Sequence, residues 1–367
     1  MDDYSSEQDI REIRIDPVVP TESVLVSTVR NLRPRKQEAP APRDTRGHVN
    51  TCPFCRGNEG MTPPDIITYS EGDQWSIRIV ENLYPVLSKD AQGSNVNEGL
   101  RQTIDGYGRH EVIIDHYNHG IAVHEMSDDH LKRLFFAYQQ RMEQLYESDA
   151  RLRYVLVFKN FGPAAGASIA HTHSQIIALP VVPENVQAEV QFSATYYREN
   201  HHCVYCALID EAMSFKATVF SREAGETQRL LNVGSYVVDK GKDFIAIKPF
   251  ASRFEWEVHI FPLAHQADFL DMGESAMNDF ACVFKRTMAR LEAVLGGAQY
   301  NYFLHTLPHH SAKQLNTATS DSKSYHWHLE ICPRTSIPSG FELGSGLFVN
   351  TVSPEAAAQQ LRDVELD

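Results

Sequence analysis

His171-Thr-His173-Ser-Gln175 follows a run of small residues, Asn160-Phe-Gly-Pro-Ala-Ala-Gly166-Ala-Ser168-Ile-Ala, and has a partial copy at His326-Trp-His328-Leu-Glu330. On a strand alternate residues share a face, so His171, His173 and Gln175 are expected to point one way. Outward from each copy the same features come in the same order. Upstream of His171 lie Cys52-x-x-Cys55, Glu111-Val112, His119, a helical period over 126–148 and a strand-like run from Tyr154 to Lys159. Leu131, Leu134, Phe135, Tyr138, Met142 and Leu145 fall on one face of that helix. Upstream of His326 lie Cys203-x-x-Cys206, Glu257-Val258, His265, a helical segment over 274–295 and the run Tyr300 to His305. Ordered repetition of this kind marks a duplicated unit. The expected fold class is α+β, two repeats of about 150 residues with antiparallel sheets and flanking helices. The expected division is an N-terminal extension (1–50), an N-terminal half (51–185) and a C-terminal half with its closing tail (186–367). Pro-rich stretches at 33–43 and 180–184 read as loops.

Four of the six cysteines lie in the two C-x-x-C pairs, and the N-terminus, MDDYSSEQDI, lacks the basic and apolar character of a secretory signal. Metal or redox chemistry is therefore expected in place of a disulfide framework. Cys52 sits in a turn-rich stretch, which suits a zinc knuckle better than a redox motif at the start of a helix. Each pair supplies two thiolates where tetrahedral zinc takes four ligands, and the 17 histidines are the natural source of the rest. Cys282 and Cys332 read as buried small hydrophobes. The chain has 367 residues and a net charge of −14, the wrong sign for neutralising nucleic-acid phosphates, although Arg30, Arg33, Arg35 and Lys36 form a local basic cluster. No apolar run approaches the roughly 18 residues of a membrane helix. A cytoplasmic enzyme is expected, with no nucleic-acid or membrane partner.

Small residues ahead of the H-x-H let backbone N–H groups approach a phosphate closely. A histidine facing such a nest can attack phosphorus and split one displacement into two. A neutral glutamine two residues on can donate to phosphoryl oxygens. The bland alternative is a glycine-rich turn with satisfied core histidines. The second copy lacks the small-residue loop and carries Glu330, which repels a phosphate, so only the first half is expected to be catalytic. His328 then reads as structural or as a minor wall of the site, and His305, His309 and His310 as surface groups or groups behind it.

The window from Asn160 to Gln175 resembles the active-site loop of the galactose-1-phosphate uridylyltransferase family, a nucleotidyltransferase branch of the histidine-triad superfamily. The spacing Asn, Gly-x-Ser, His-x-His-x-Gln matches without a gap. Arg14-Ile-Asp-Pro17 resembles the family's opening strand, Arg30-x-x-Arg33-Pro34 its nucleotide-contacting arginines, and Glu81-Asn82-Leu-Tyr-Pro85 its Asn-containing nucleotide loop. His-x-His-Ser-Gln and Gly340-Phe-Glu-Leu-Gly-Ser-Gly346 are most similar to the branch containing plant ADP-glucose phosphorylase. The resemblance implies that His173 is the nucleophile, that Gln175 binds phosphate and that Asn160, Gly166 and Ser168 line the phosphates. It places Arg30, Arg33 and Asn82 at the nucleotide, and Phe341 and Glu342 in the stretch that contacts the sugar. It implies a first zinc on Cys52, Cys55, His119 and His171, and a second on Cys203, Cys206, His265 and His326, with iron as an alternative at the second. It also implies a homodimer in which Arg30 or Arg33 serves the neighbouring subunit.

The expected reaction is double displacement through a nucleotidyl-histidine, from a nucleotide sugar of UDP-glucose type to a sugar 1-phosphate of galactose 1-phosphate type. The alternative is a phosphorylase using inorganic phosphate on ADP-glucose or a dinucleoside polyphosphate, and the stretch 338–350 distinguishes the two. A non-enzymatic zinc module fits poorly, because its C-x-x-C pairs should lie within tens of residues of each other in a basic context.

Overall fold

The computed structural model describes residues 10–32, 43–214, 217–219, 229–231, 236–309 and 318–366, so Arg33, Arg35, Lys36 and His310 lie outside the described residues. The chain opens with a hairpin, β1 (Arg11–Ile15) and β2 (Ser23–Ser27). The first half then runs through β3 (Asp65–Glu71), β4 (Gln74–Glu81), a small exposed hairpin β5 (Asn95–Glu98) and β6 (Arg101–Ile104), and β7 (Arg109–Ile114). It ends with α1 (Asp128–Ser148), β8 (Tyr154–Phe161) and β9 (His173–Leu179). Two helices, α2 (Glu184–Asn200) and α3 (Val204–Ser214), and a short hairpin, β10 (Ala217–Val219) and β11 (Arg229–Leu231), lead to the second half. That half comprises β12 (Val237–Lys240), β13 (Phe244–Ile247), β14 (Val258–Pro262), α4 (Glu274–Leu295), β15 (Tyr300–His305), α5 (Ala318–Ser324) and β16 (His328–Pro333). The tail adds α6 (Gly340–Ser345), β17 (Phe348–Asn350) and α7 (Pro354–Arg362).

The two halves share one topology. Strands β3-β4-β7-β9-β8 and β12-β13-β14-β16-β15 follow the same order, each with its last strand inserted beside the third, and antiparallel pairing of β8 with β15 fuses them into one ten-stranded sheet. The expected α+β class with two repeats therefore stands, but the repeats share a sheet instead of packing two. One face is covered by α1 and α4. Helix α1 starts where Ser127 caps it, the hydroxyl accepting from the His130 N–H, and buries the apolar stripe expected of it. Phe135 of α1 meets Phe280 and Phe284 of α4 with ring centroids 4.6 and 5.2 Å apart, so the main core spans both halves. Burial of each such ring contributes about 1.5–3 kcal/mol. Helix α4 stops at Gly296, whose φ of 61° suits a residue without a Cβ.

Two readings need correction. Glu111 and Glu257 are not equivalent. Val112 pairs with Gln175, whereas His259 pairs with Glu330, so the repeat is one residue out of step at this point. A one-residue slip moves a side chain to the other face of the sheet. Glu111 accordingly turns to the helices and pairs with Arg141 at 2.6 Å, while Glu257 turns to the open face and meets His259 at 2.9 Å. Cys332 is buried as expected, but Cys282 is half-buried on α4, its thiol 3.7 Å from the Asp128 carboxylate.

Candidate active site and metal clusters

The face of the sheet away from α1 and α4 carries the histidines. The turn that holds Cys52 and Cys55 is closed by Cys55 N–H donating to the Cys52 carbonyl and by the Asn58 amide reaching that same oxygen at 2.8 Å. Cys52 and Cys55 lie with His119, from the loop after β7, and His171, two residues before β9 begins. The Sγ-to-Nδ1 distances are 3.7 Å (Cys52–His171), 3.5 Å (Cys55–His119) and 3.5 Å (Cys55–His171). Tetrahedral zinc with ordinary Zn–S and Zn–N bonds separates S from N by about 3.6 Å, so this donor set fits the ion. The other nitrogen of His171 donates to the His116 carbonyl at 2.7 Å, which turns the Nδ1 lone pair toward the thiols. His119 Nε2 lies 3.3 Å from the Asp44 carboxylate, an ion-pair distance without a hydrogen-bond angle.

The second cluster repeats the first. Cys203 immediately precedes α3 and Cys206 lies in its first turn, so this pair does open a helix. Cys206 Sγ is 3.3 Å from His265 Nδ1 and 3.5 Å from His326 Nδ1. The outer nitrogens again donate to backbone carbonyls, His265 to Ser322 and His326 to Pro262, each at 2.9 Å. All four groups gather within 4.8 Å.

His173 opens β9 and is 8% exposed. Its Nδ1–H donates to the His171 carbonyl at 2.8 Å, leaving the Nε2 lone pair uncommitted. Burial, and then the Lys159 ammonium, hold the imidazole below its ordinary range. Lys159 is itself fully buried. It donates to the Asp115 carboxylate (2.6 Å), the Thr172 hydroxyl (2.8 Å) and the His173 carbonyl (2.9 Å), clamping the backbone that bears the histidine. Gln175 lies two residues on. Its Oε1 accepts from His110 Nε2 at 2.9 Å, and His110 Nδ1 accepts the Val86 N–H at 3.2 Å. That arrangement fixes the amide so that its NH2 group is the free end. The Asn82 amide lies beside the same imidazole, its Nδ2 3.1 Å from Nε2, but with Nε2–H committed to Gln175 this contact has no acceptor.

The loop between β8 and β9 turns at Gly162 and Gly166, with φ of 85° and 86°, values that disfavour any side chain. A Cβ on Gly162 would meet the Gln299 side chain at 2.5 Å. Gln299 accepts from the Ala164 N–H, and Asn301 of β15 donates to Asn160 (2.8 Å) and to the Ala165 carbonyl (2.9 Å). The second half thus builds the loop of the first. Ser168 is exposed on it. Sequence reasoning missed His110, Lys159, Asp115, Gln299 and Asn301, because none stands in a short motif and the sheet alone brings them together.

Arg30, Phe341 and Glu342 are not gathered around His173. Strand β17 pairs with β2, and this small sheet packs on the C-terminal half through Val24, Val26 and Ala251. The Glu342 carboxylate caps α6, accepting the Ser339 N–H and hydroxyl at 2.9 and 2.7 Å. His305, expected at the surface or behind the site, is buried on the open face of the C-terminal half. It pairs with Glu189 at 2.8 Å and lies 3.5 Å from Glu330, because β15 faces inward there. His309 stacks on Tyr146 at 4.4 Å.

Residues 3–183 match the family described as galactose-1-phosphate uridyl transferase, N-terminal domain. The ADP-glucose phosphorylase of Arabidopsis thaliana is 32% identical over 368 residues, covering 100% of this chain and 96% of that protein. The chain belongs to the galactose-1-phosphate uridylyltransferase family. A member from Thermotoga maritima, a galactose-1-phosphate uridylyltransferase, is 26% identical across 97% of this chain and 99% of its own. The crystal structure of an Arabidopsis thaliana ADP-glucose phosphorylase with bound ADP-glucose superposes with a TM-score of 0.78 at 30% identity, covering 97% of this chain and 100% of that one. A uridylyltransferase structure gives 0.68 at 26%, over 96% and 97%. These relatives of the family are enzymes. Among the described residues no helix is long and apolar enough to cross a membrane.

Proposed function

We propose that the protein transfers a nucleoside monophosphate from a nucleotide sugar to a phosphate acceptor through a covalent intermediate on His173. The observation that carries the reading is the hydrogen bond from His173 Nδ1 to the His171 carbonyl, which presents Nε2 as the nucleophile beside the free amide end of Gln175. Nε2 attacks the α-phosphorus and sugar 1-phosphate departs with the bonding electron pair. An oxygen of the acceptor phosphate then attacks the same phosphorus, and the P–N bond returns its electrons to Nε2. The Nδ1 proton stays on the ring throughout, and the His171 carbonyl stabilises the positive charge that develops there. Leaving group and acceptor are both phosphates ionised near neutral pH, so neither half-reaction calls for a general acid or base. Gln175 donates to the phosphoryl oxygens, and Asn160, Gly166 and Ser168 line the phosphate path.

Phosphorolysis of an ADP-glucose-type donor by inorganic phosphate is the acceptor chemistry we favour over transfer to galactose 1-phosphate. The 32% identity to a phosphorylase against 26% to a uridylyltransferase supports it. Zinc on the two Cys2His2 sets would be closed and structural, pinning each loop to its H-x-H strand. We also place the protein in a homodimer, with Arg30, Phe341 and Glu342, which lie over the C-terminal half of their own chain, serving the neighbouring subunit. Incubating the protein with ADP-glucose and with UDP-glucose, with inorganic phosphate or galactose 1-phosphate, tests the transfer chemistry by mass spectrometry. Nucleoside diphosphate formed only with phosphate, and a nucleotidyl adduct on His173, are the expected results. Release of UDP-galactose would restore the transferase reading.

A further inference from the structure

A cavity of about 750 Å³ lies over the open face of the C-terminal half, away from His173. Its floor is the register counterpart of the His173 site. Gln175 pairs with Val112 on one side and Phe158 on the other, and Glu330 pairs with His259 and Phe303. Glu330 therefore stands where Gln175 stands, and His328 where His173 stands. We propose that this cavity is a second ligand site and that it takes a nucleoside without its phosphate.

The charges of the floor exclude a phosphate. Arg253 is held by Glu330 at 2.7 Å, His259 by Glu257 at 2.9 Å and His305 by Glu189 at 2.8 Å. Lys248 donates to the backbone carbonyls of Glu257 and Phe254 at 2.9 and 3.3 Å. Each of these cations already has its partner, and three carboxylates lie among them, so an anion entering here meets repulsion without compensation. Carboxylates only accept hydrogen bonds, so the floor recognises hydroxyl and N–H donors. The walls supply an independent sign. Tyr205 of α3 is 3% exposed, lines the cavity and has a buried hydroxyl with no hydrogen-bond partner. A buried unpaired hydroxyl is uncommon unless a ligand or water completes it. Phe250, Phe261, Phe348 and Val24 give the rest of the lining the apolar character that a flat ring requires. Ring, hydroxyls and no phosphate describe a nucleoside. The choice of nucleoside over a bare sugar rests on the transfer reading, which assigns the equivalent face of the other half to a nucleotide.

Equilibrium dialysis of the full chain against adenosine, guanosine, cytidine and uridine, each with and without excess of its own monophosphate, tests the proposal. One nucleoside should bind at one site per chain that the monophosphate does not empty. Tyr205→Phe should weaken that binding roughly tenfold, the contribution of one hydrogen bond. It should leave the melting temperature without ligand unchanged, since the hydroxyl has no partner to lose. Binding of none of the four, full displacement by the monophosphate, or indifference to Tyr205→Phe overturns it. His173 adduct formation is measured on the same preparations. Its absence in the parent protein overturns the transfer reading alone, and its persistence in Tyr205→Phe shows that the two sites are separate.

Discussion

At His173 the backbone sets the chemistry. A carbonyl two residues earlier holds Nδ1–H, and a buried lysine beneath favours the neutral ring, so the imidazole presents an unprotonated Nε2 without a carboxylate partner, as the proposed transfer requires. His173→Gly should fold, bind its nucleotide and form no adduct, a loss of about 5 kcal/mol or more of transition-state stabilisation. His328→Gly should keep the adduct. The two variants measured in one assay identify the catalytic half, and a dead His328→Gly would reverse the assignment. Gln175→Ala should cost roughly 2.7–4 kcal/mol in turnover, as for one preorganised donor. His110 acts through that glutamine. His110→Ala should lower turnover by less, and the double variant should be no worse than Gln175→Ala alone. Additive losses would mean that His110 has a separate role.

The elements around the site are held by groups that a strand-and-helix pattern does not reveal. Lys159 on β8 and Asp115 after β7 form an ion pair that is 0% exposed on both sides. Replacing one member leaves the other charge buried, so Lys159→Met should cost about 3–5 kcal/mol in urea unfolding and should also displace His173. At the same scale, metal on the two candidate clusters would join a loop to a strand. The purified protein should contain close to two zinc ions per chain by elemental analysis. Cys203→Ser should lose one of them together with several degrees of melting temperature, because zinc binding is coupled to folding. A fully folded, active and metal-free preparation would contradict this.

Across the whole molecule, fusion of two five-stranded units into one sheet lets each half finish the other. Asn301 of the second half braces the β8–β9 loop of the first, and Phe280 and Phe284 close the core under Phe135. A charge buried within the second half must answer to pH. Burial pushes the Lys248 amine down to about 7 from an ordinary 10.5, against the opposing pull of Glu257. Between those values the unfolded chain binds more protons than the folded one, so stability rises with pH across that window and the buried amine weighs against the fold below it. In urea melts from about pH 6.5 to 9.5 the parent protein should gain on Lys248→Met as pH rises. A constant difference would show that Lys248 stays charged.

The linear order of C-x-x-C, lone His, helix, strand and H-x-H was enough to read the duplication and the α+β class, and with the family resemblance it named the eight candidate metal ligands that the fold brings together in two clusters. Each of those signals is local, or repeats at a spacing that loops change by only a few residues. The spacing misled at Glu111 and Glu257, where a slip of one residue, invisible in a list of motifs, sends the two side chains to opposite faces. His305 could not be read either, since its partner Glu189 lies on α2, more than a hundred residues away, and only strand pairing brings them to one floor. Sequence named the candidate groups. The sheet decided which of them meet, because register and long-range pairing are properties of the folded chain.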